Sequence, residues 1–236
     1  MNTTHPIPTA PPLAWAKSHK RAVIAKLLTD SGAEPEALPA AIFMAGLPGA
    51  GKTELSRNII KDSGVSLLRI DMDEIAELIP GYTPERADSF RKPATILLAE
   101  AFSYALKHQI SFMLDGTFSS AQAINNIARC LKRGVPVQII YAFQDPKLAW
   151  EFTLAREKVE HRSIKFDGFV DSYYRTIANI KTVGKKYATQ ITLDIAVKDR
   201  QNQVAQWFRS VDPSKIDEIL RVEYNKDKLV KYIQGT

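Results

Sequence analysis

Gly46-Leu47-Pro48-Gly49-Ala50-Gly51-Lys52-Thr53 follows directly on the apolar run Ala41-Ile42-Phe43-Met44-Ala45 and precedes a helix-like stretch from Glu54 to Lys61. Its glycines let the backbone turn tightly enough for successive N–H groups to point at one anion, and the helix that follows adds the positive end of its dipole. A lysine in the seventh place reaches the β- and γ-phosphates of a nucleoside triphosphate, and a hydroxyl in the eighth ligates Mg²⁺. Strand, loop and helix in that order are the context the motif requires. Residues Gly46 to Thr53, with Glu54, are therefore expected to hold ATP or GTP, Lys52 to act in catalysis as well, and Thr53 to touch the metal. The plain alternative is a glycine-rich turn with no ligand.

Outward from this loop, strand-like and helix-like stretches alternate. Strands are expected at 41–45, 66–70, 111–114, 137–141 and 190–197. Helices are expected to Ile60, from Asp73, and over 84–107, 121–132, 146–159 and 166–182. The strand runs are short, continuous and rich in Ile, Leu and Val, the pattern of a parallel sheet covered on both faces. This implies a three-layer α/β P-loop fold with a mostly parallel central sheet flanked by helices. The flanks read differently. Residues 1–12 carry four prolines and suggest an extended arm, followed by an amphipathic helix over 14–28. The segment after Gln201 suggests two helices about the break Asp212-Pro213-Ser214, the second opened by Ser214 with Asp217 three residues on. The organisation expected is an arm and helix over 1–38, a core over 39–200 with a lid near 156–165, and C-terminal helices over 201–236 packed on the core.

The chain has 236 residues and is 45% hydrophobic, enough for one generous α/β domain. It contains no run of 18 apolar residues, and its first residues lack a basic region followed by an apolar one. A cytoplasmic protein with no membrane association is the expectation. The single cysteine, Cys130, excludes an internal disulfide or a cysteine-based zinc cluster and reads as a small buried hydrophobe on a helix. The net charge of +6 favours anionic partners, but the basic residues are dispersed rather than gathered in a stripe, so nucleic acid is the weaker reading.

Ligands of parallel α/β sheets bind outside the carboxyl ends of the strands, which gives weight to the acids found there. One strand runs into Ile70-Asp71-Met72-Asp73-Glu74 and another into Leu114-Asp115-Gly116-Thr117. Phosphoryl transfer needs a carboxylate to accept the proton of the attacking hydroxyl and another to hold Mg²⁺ through water. Asp71 and Asp73 suit those tasks, although either can instead cap the following helix, and Asp115-Gly116 can be an ordinary turn. The charged stretch from Leu154 to Arg162 offers Arg156 and Arg162 as lid arginines. Lys158 and Glu160 read as members of a solvated helical face.

Taken together, Gly46–Thr53, Asp71-Met72-Asp73, Asp115-Gly116-Thr117 and the Arg156/Arg162 pair resemble the zeta toxin family of P-loop kinases over about residues 40–185. The resemblance implies transfer of phosphate from ATP or GTP, with Mg²⁺, to the sugar 3′-hydroxyl of UDP-N-acetylglucosamine or a related UDP-amino sugar, and an antitoxin protein as partner. It implies Lys52 and Thr53 as the phosphate and Mg²⁺ residues, Asp73 as the base, Asp115, Thr117 and Glu100 on the substrate, and Arg156 and Arg162 as the charge-stabilising pair; the metal role of Asp71 rests on the strand-end reading above. The chain departs from the family at Asp115, where Glu is common, and at Phe118-Ser119, where a basic residue often stands. It departs again at Ala76, in place of an arginine. The alternatives are a kinase of another hydroxyl, such as a nucleoside, a polynucleotide end or an antibiotic, and a nucleotide-dependent switch or binding module.

Overall fold

The computed structural model describes residues 10–160, 164–223 and 225–236. The chain enters through two helices, α1 (Pro12–Ser18) and α2 (Lys20–Ser31), where the sequence reads as one. His19, at φ −108° and ψ 14°, departs from helical geometry and separates them. Pro12 sits in the first turn of α1, where its missing N–H costs no hydrogen bond. Both helices pack on the long helix of residues 87–107.

The alternation follows: β1 (Ala41–Ala45), α3 (Lys52–Ser63), β2 (Leu68–Asp71), α4 (Met72–Glu77), α5 (Ala87–Lys107), β3 (Phe112–Asp115), α6 (Ala121–Lys132), β4 (Val137–Phe143), α7 (Pro146–Glu160), α8 (Phe166–Tyr187) and β5 (Ile191–Lys198). The sheet order is β2-β3-β1-β4-β5-β6, where β6 is Val204–Phe208, and the first five strands are parallel. Parallel pairing demands helical crossovers that bury both faces of the sheet, which is why β1 and β4 read as nearly unbroken apolar runs. On one face Met44, Met113, Ile140 and Ala142 pack against Leu55 of α3. The other carries the larger cluster, with Phe43, Phe102, Phe112, Ile139 and Ile177. Three layers result, as the strand pattern implied. In the β2–β3 register Asp71 stands opposite Asp115, so two carboxylates meet at the ends of neighbouring strands.

The C-terminal segment corrects one expectation. Its first element is a strand, β6 (Val204–Phe208), antiparallel to β5 at the sheet edge. Trp207 packs on the smaller core cluster, and the hairpin turn of Asp199 to Gln203 is stitched by Asp199 Oδ1 accepting from Gln201 N and Gln203 N. Two short helices follow, α9 (Ile216–Leu220) and α10 (Lys226–Gln234). The expected cap at Ser214 does not form: Asp212 accepts from Ser214 N, and the Asp217 carboxylate pairs with Lys181 of α8. The last helix packs on α7, with Tyr232 Oη donating to Asp145 Oδ2 at 2.6 Å. Cys130 is buried on α6, and burial pushes its thiol up to about 12. Among the described residues no helix is long and apolar enough to cross a membrane. Residues 1–9 of the expected arm lie outside the described residues.

Candidate active site

The loop between β1 and α3 is held down by its own apolar members: Leu47 and Ala50 are buried in the core. Two of its glycines have no substitute. At φ +77°, Gly49 lies where L side chains are strained, and a Cβ there would stand 2.1 Å from Ala149 O and 2.7 Å from Thr153 Oγ1 of α7. At Gly46, φ +142°, a Cβ would stand 2.4 Å from Ala142 O of β4. Gly46 N donates to Thr117 O at 3.3 Å, tying the loop to the end of β3, and Asn202 Nδ2 of the β5–β6 turn donates to Gly49 O at 3.4 Å. The N–H groups of Gly49, Gly51, Lys52 and Thr53 find no acceptor among the described residues. Such a row of open donors at a helix start fits a polyphosphate.

Lys52 folds over the loop, its Nζ donating to Leu47 O at 2.6 Å. Burial lowers its ammonium from the usual lysine range to about 8, against the opposing pull of Asp115 and Asp71. An anion placed on the loop restores the charge. Pro48, Gly49, Lys52 and Thr53 line a cavity of about 430 Å³ that reaches the ends of β2 and β3. A second cavity of about 650 Å³ shares Thr53, Asp71, Asp73 and Arg156 with it and is also lined by Glu54.

At the strand ends, an arginine that the sequence reading passed over organises the acids. Arg69, inside β2, donates through Nη2 to Asp115 Oδ2 at 2.6 Å and to Asp71 Oδ2 at 2.9 Å, and its Nε donates to Ser56 Oγ of α3 at 3.1 Å. Its guanidinium also pairs with Glu74. Ser56 Oγ donates to the same Asp115 oxygen at 2.8 Å. Asp71 is the N-cap of α4, its Oδ1 accepting from Asp73 N at 2.8 Å and Glu74 N at 3.1 Å. Of the two readings open for Asp71, the cap is thus realised, and the residue lines both cavities as well. Burial, with the carboxylates of Asp115 and Asp73, pushes Asp71 up to about 6 against the attraction of Arg69. Asp73, in the first turn of α4, lines both cavities. A charged residue in an otherwise apolar strand signals that a buried partner is needed, but which partner Arg69 meets is set by the β2–β3 register.

Thr117 lines the smaller cavity. Its Oγ1 shares a hydrogen bond with Ser119 Oγ at 2.7 Å, and its carbonyl accepts from Thr176 Oγ1 at 2.7 Å. Arg156, on α7, lines both cavities. Arg162 lies outside the described residues. Glu100 is not brought to the site. The face of α5 turned to the cavity carries Arg91, Thr95 and Leu98, four and three residues apart. Glu100 comes two residues after Leu98, about 200° around the helix, and its carboxylate pairs with Lys20 of α2 at 2.8 Å.

The fold has counterparts among solved structures. The chain is similar to a structure of the PezAT chromosomal toxin–antitoxin system of the human pathogen Streptococcus pneumoniae. The TM-score is 0.67 at 16% identity, over 94% of each chain. It is also similar to the AvrRxo1-ORF1:AvrRxo1-ORF2 structure with ATP, at a TM-score of 0.58 and 12% identity, over 90% of this chain and 72% of that one. At such identities the likeness carries the fold alone, a mostly parallel sheet flanked by helices. No curated protein matches the sequence. A family model described as Zeta toxin matches residues 24–212. With well over half its length so matched, this chain belongs to the zeta toxin family.

Proposed function

We propose that the protein is a kinase that transfers the γ-phosphate of ATP or GTP to a sugar hydroxyl, the 3′-hydroxyl of UDP-N-acetylglucosamine or a related UDP-amino sugar, and that it is the toxin of a toxin–antitoxin pair. The observation that carries the phosphotransferase reading is the convergence of Lys52, Thr53, Asp73 and Arg156 on one cavity beside the loop. Asp73 takes the proton of the acceptor hydroxyl as its oxygen bonds to the γ-phosphorus. The bond from that phosphorus to the bridging oxygen breaks, and Lys52 holds the charge left on the β-phosphate. Arg156 neutralises charge on the transferred group. Thr53 and Asp71 would hold a Mg²⁺, which would neutralise charge on the phosphate oxygens. Asp115 is fixed by Arg69 and Ser56 through Oδ2, which leaves Oδ1 for the acceptor beside Thr117.

The similar structures described above are a toxin–antitoxin system and a two-component complex, which supports an antitoxin partner here. ATP and a sugar nucleotide as substrates support a cytoplasmic setting. A second reading, a kinase of a different hydroxyl, is favoured by Glu100, whose pairing with Lys20 removes a carboxylate from the acceptor wall. Incubation with γ-labelled ATP and a panel of UDP-sugars, nucleosides and oligonucleotides separates the readings. Label on a UDP-amino sugar is the expected result. Label on another acceptor moves the assignment to the second reading, and free phosphate alone in every reaction overturns the kinase.

A further inference from the structure

The β5–β6 turn touches the loop between β1 and α3 but borders neither cavity. Within it Asn202 sits in the left-handed region, φ 61°, which asparagine accepts more readily than most residues. Each of its polar groups is engaged. Asn202 N donates to Asp199 O at 3.0 Å, its carbonyl accepts from Lys198 Nζ at 2.9 Å, and its Oδ1 accepts from Nε2 of the buried Gln144 at 3.2 Å. With Oδ1 so occupied, Nδ2 is left to donate to Gly49 O at 3.4 Å, and it lies 2.8 Å from where a Cβ on Gly51 would stand. The ladder that carries the turn is irregular. Val197 pairs with Gln206 and Lys198 with Val204, so Ala205 is skipped, and a residue skipped in this way bends the strand and re-aims what is attached to it.

The carbonyl of Gly49 shares a rigid peptide plane with the N–H of Ala50. Asn202 holds one end of that plane, and Leu47 O, accepting from Ala50 N at 3.2 Å, holds the other. The N–H groups on either side of it, of Gly49 and Gly51, are among the open donors of the loop. Glycine offers little resistance to rotation of the planes that flank it. A loop of this composition therefore keeps its donors aimed only where a contact from outside fixes one of its planes. We propose that Asn202 is a positioning residue for the loop: through Gly49 O it holds the backbone in the conformation whose N–H groups converge on phosphate. The inference goes beyond the kinase reading and rests on it only for the nature of the loop's ligand, a nucleoside triphosphate.

The test measures binding of ATP, GTP and inorganic tripolyphosphate, each with Mg²⁺, by calorimetry to the full chain and to Asn202→Gly, Asn202→Asp and Gln201→Ala. Glycine keeps the left-handed turn and deletes only the amide. Aspartate keeps the shape and puts a charged acceptor where the donor met Gly49 O, and Gln201→Ala controls for a change elsewhere in the same turn. Asn202→Gly is expected to weaken the nucleotide and tripolyphosphate alike, about 3- to 10-fold, Asn202→Asp to weaken both further, and Gln201→Ala to change neither by more than about twofold. In labelled transfer the KM for the nucleotide should rise by the same factor in Asn202→Gly, with kcat nearly unchanged. Wild-type affinities in Asn202→Gly overturn the proposal, and a lowered unfolding midpoint beside them would leave Asn202 a stabiliser of the turn alone. A loss with the nucleotides that tripolyphosphate does not share, or no binding of tripolyphosphate by wild type, also overturns it. The two readings fail separately. Weakened binding in Asn202→Gly, with no transfer by wild type to any acceptor, removes the kinase and keeps the positioning role. Transfer by wild type with affinities unchanged in Asn202→Gly does the reverse.

Discussion

The two walls of the cavity are built to different standards. On the nucleotide side, the carboxylates of Asp71 and Asp115 are held by Arg69, Ser56 by Asp115, and Gly46 and Gly49 sit where a single added carbon would strike backbone oxygen. On the facing wall, α5 and α6 present Arg91, Thr95, Gln122 and Asn126, held only by hydrogen bonds within their own helices. The buried side has little spare freedom because Arg69, Asp71, Asp115 and Ser56 are bonded to one another. The exposed side consists of side chains that project from intact helices, so it changes without disturbing the fold. On the kinase reading proposed above, transfer depends on the first wall and acceptor choice on the second.

Substitution on the first wall should break the contrast most severely. Lys52→Ala and Asp73→Asn are each expected to lower phosphate transfer about 1,000-fold or more, with circular dichroism and unfolding midpoint nearly unchanged. Asp73→Asn retaining full transfer would remove it as the base. Next in size is Arg69→Met, which strips the buried acids of their cation. Removing one partner of a buried ion pair costs about 3 to 5 kcal/mol, to be read by denaturant unfolding, and adding Asp115→Asn should recover part of the loss. A loss of under 1 kcal/mol would mean that the strand-end acids do not depend on Arg69.

A smaller effect concerns protons. Lys52 titrates at about 8 in the folded protein, whereas an unperturbed lysine titrates at 10.5. The unfolded chain therefore binds more protons between those values, and this group's contribution to stability rises as pH increases through that window. A bound triphosphate reverses the shift, so ATP binding near pH 8 should take up a few tenths of a proton. Calorimetry in buffers of different ionisation enthalpy measures this uptake, which should fade towards pH 7, where Lys52 is already charged. An enthalpy independent of buffer at pH 8 would contradict the burial of the ammonium.

How far the sequence discloses the molecule follows the same division. The loop, the parallel strands and the strand-end acids are legible because each depends on local chemistry: turn residues, apolar runs, and acids at fixed offsets. Strand β6 is misread as helix because an edge strand with one partner and a solvent face lacks the unbroken apolar run that marks the others. Its cues are only Val204, Trp207 and Phe208 after the turn at Gln201-Asn202. The break at His19 is hidden because nothing but a backbone angle distinguishes one helix from two. Arg69 and Glu100 fail for a common reason. Whether a charged side chain faces a neighbouring strand, a cavity or another helix is a tertiary fact, settled by the β2–β3 register in one case and by helical phase in the other.

Glu100 supplies the smallest and most discriminating prediction. If its position on α5 served the acceptor, Glu100→Gln would remove a charged contact in the site and cost transfer heavily. The carboxylate instead meets Lys20, and both side chains are near two-fifths exposed, 41% and 38%. Solvent screens a pair so placed, and such pairs contribute roughly 0.2 to 1 kcal/mol. Glu100→Gln should therefore lower stability by less than about 1 kcal/mol, as should Lys20→Met. The double variant should cost no more than the larger single one, since the two residues share one interaction. Transfer rate and acceptor KM should stay within about twofold of wild type, a range equal to less than half a kcal/mol. A transfer defect in Glu100→Gln that Lys20→Met does not reproduce would mean that α5 rotates or shifts when the acceptor binds, bringing Glu100 to the second wall.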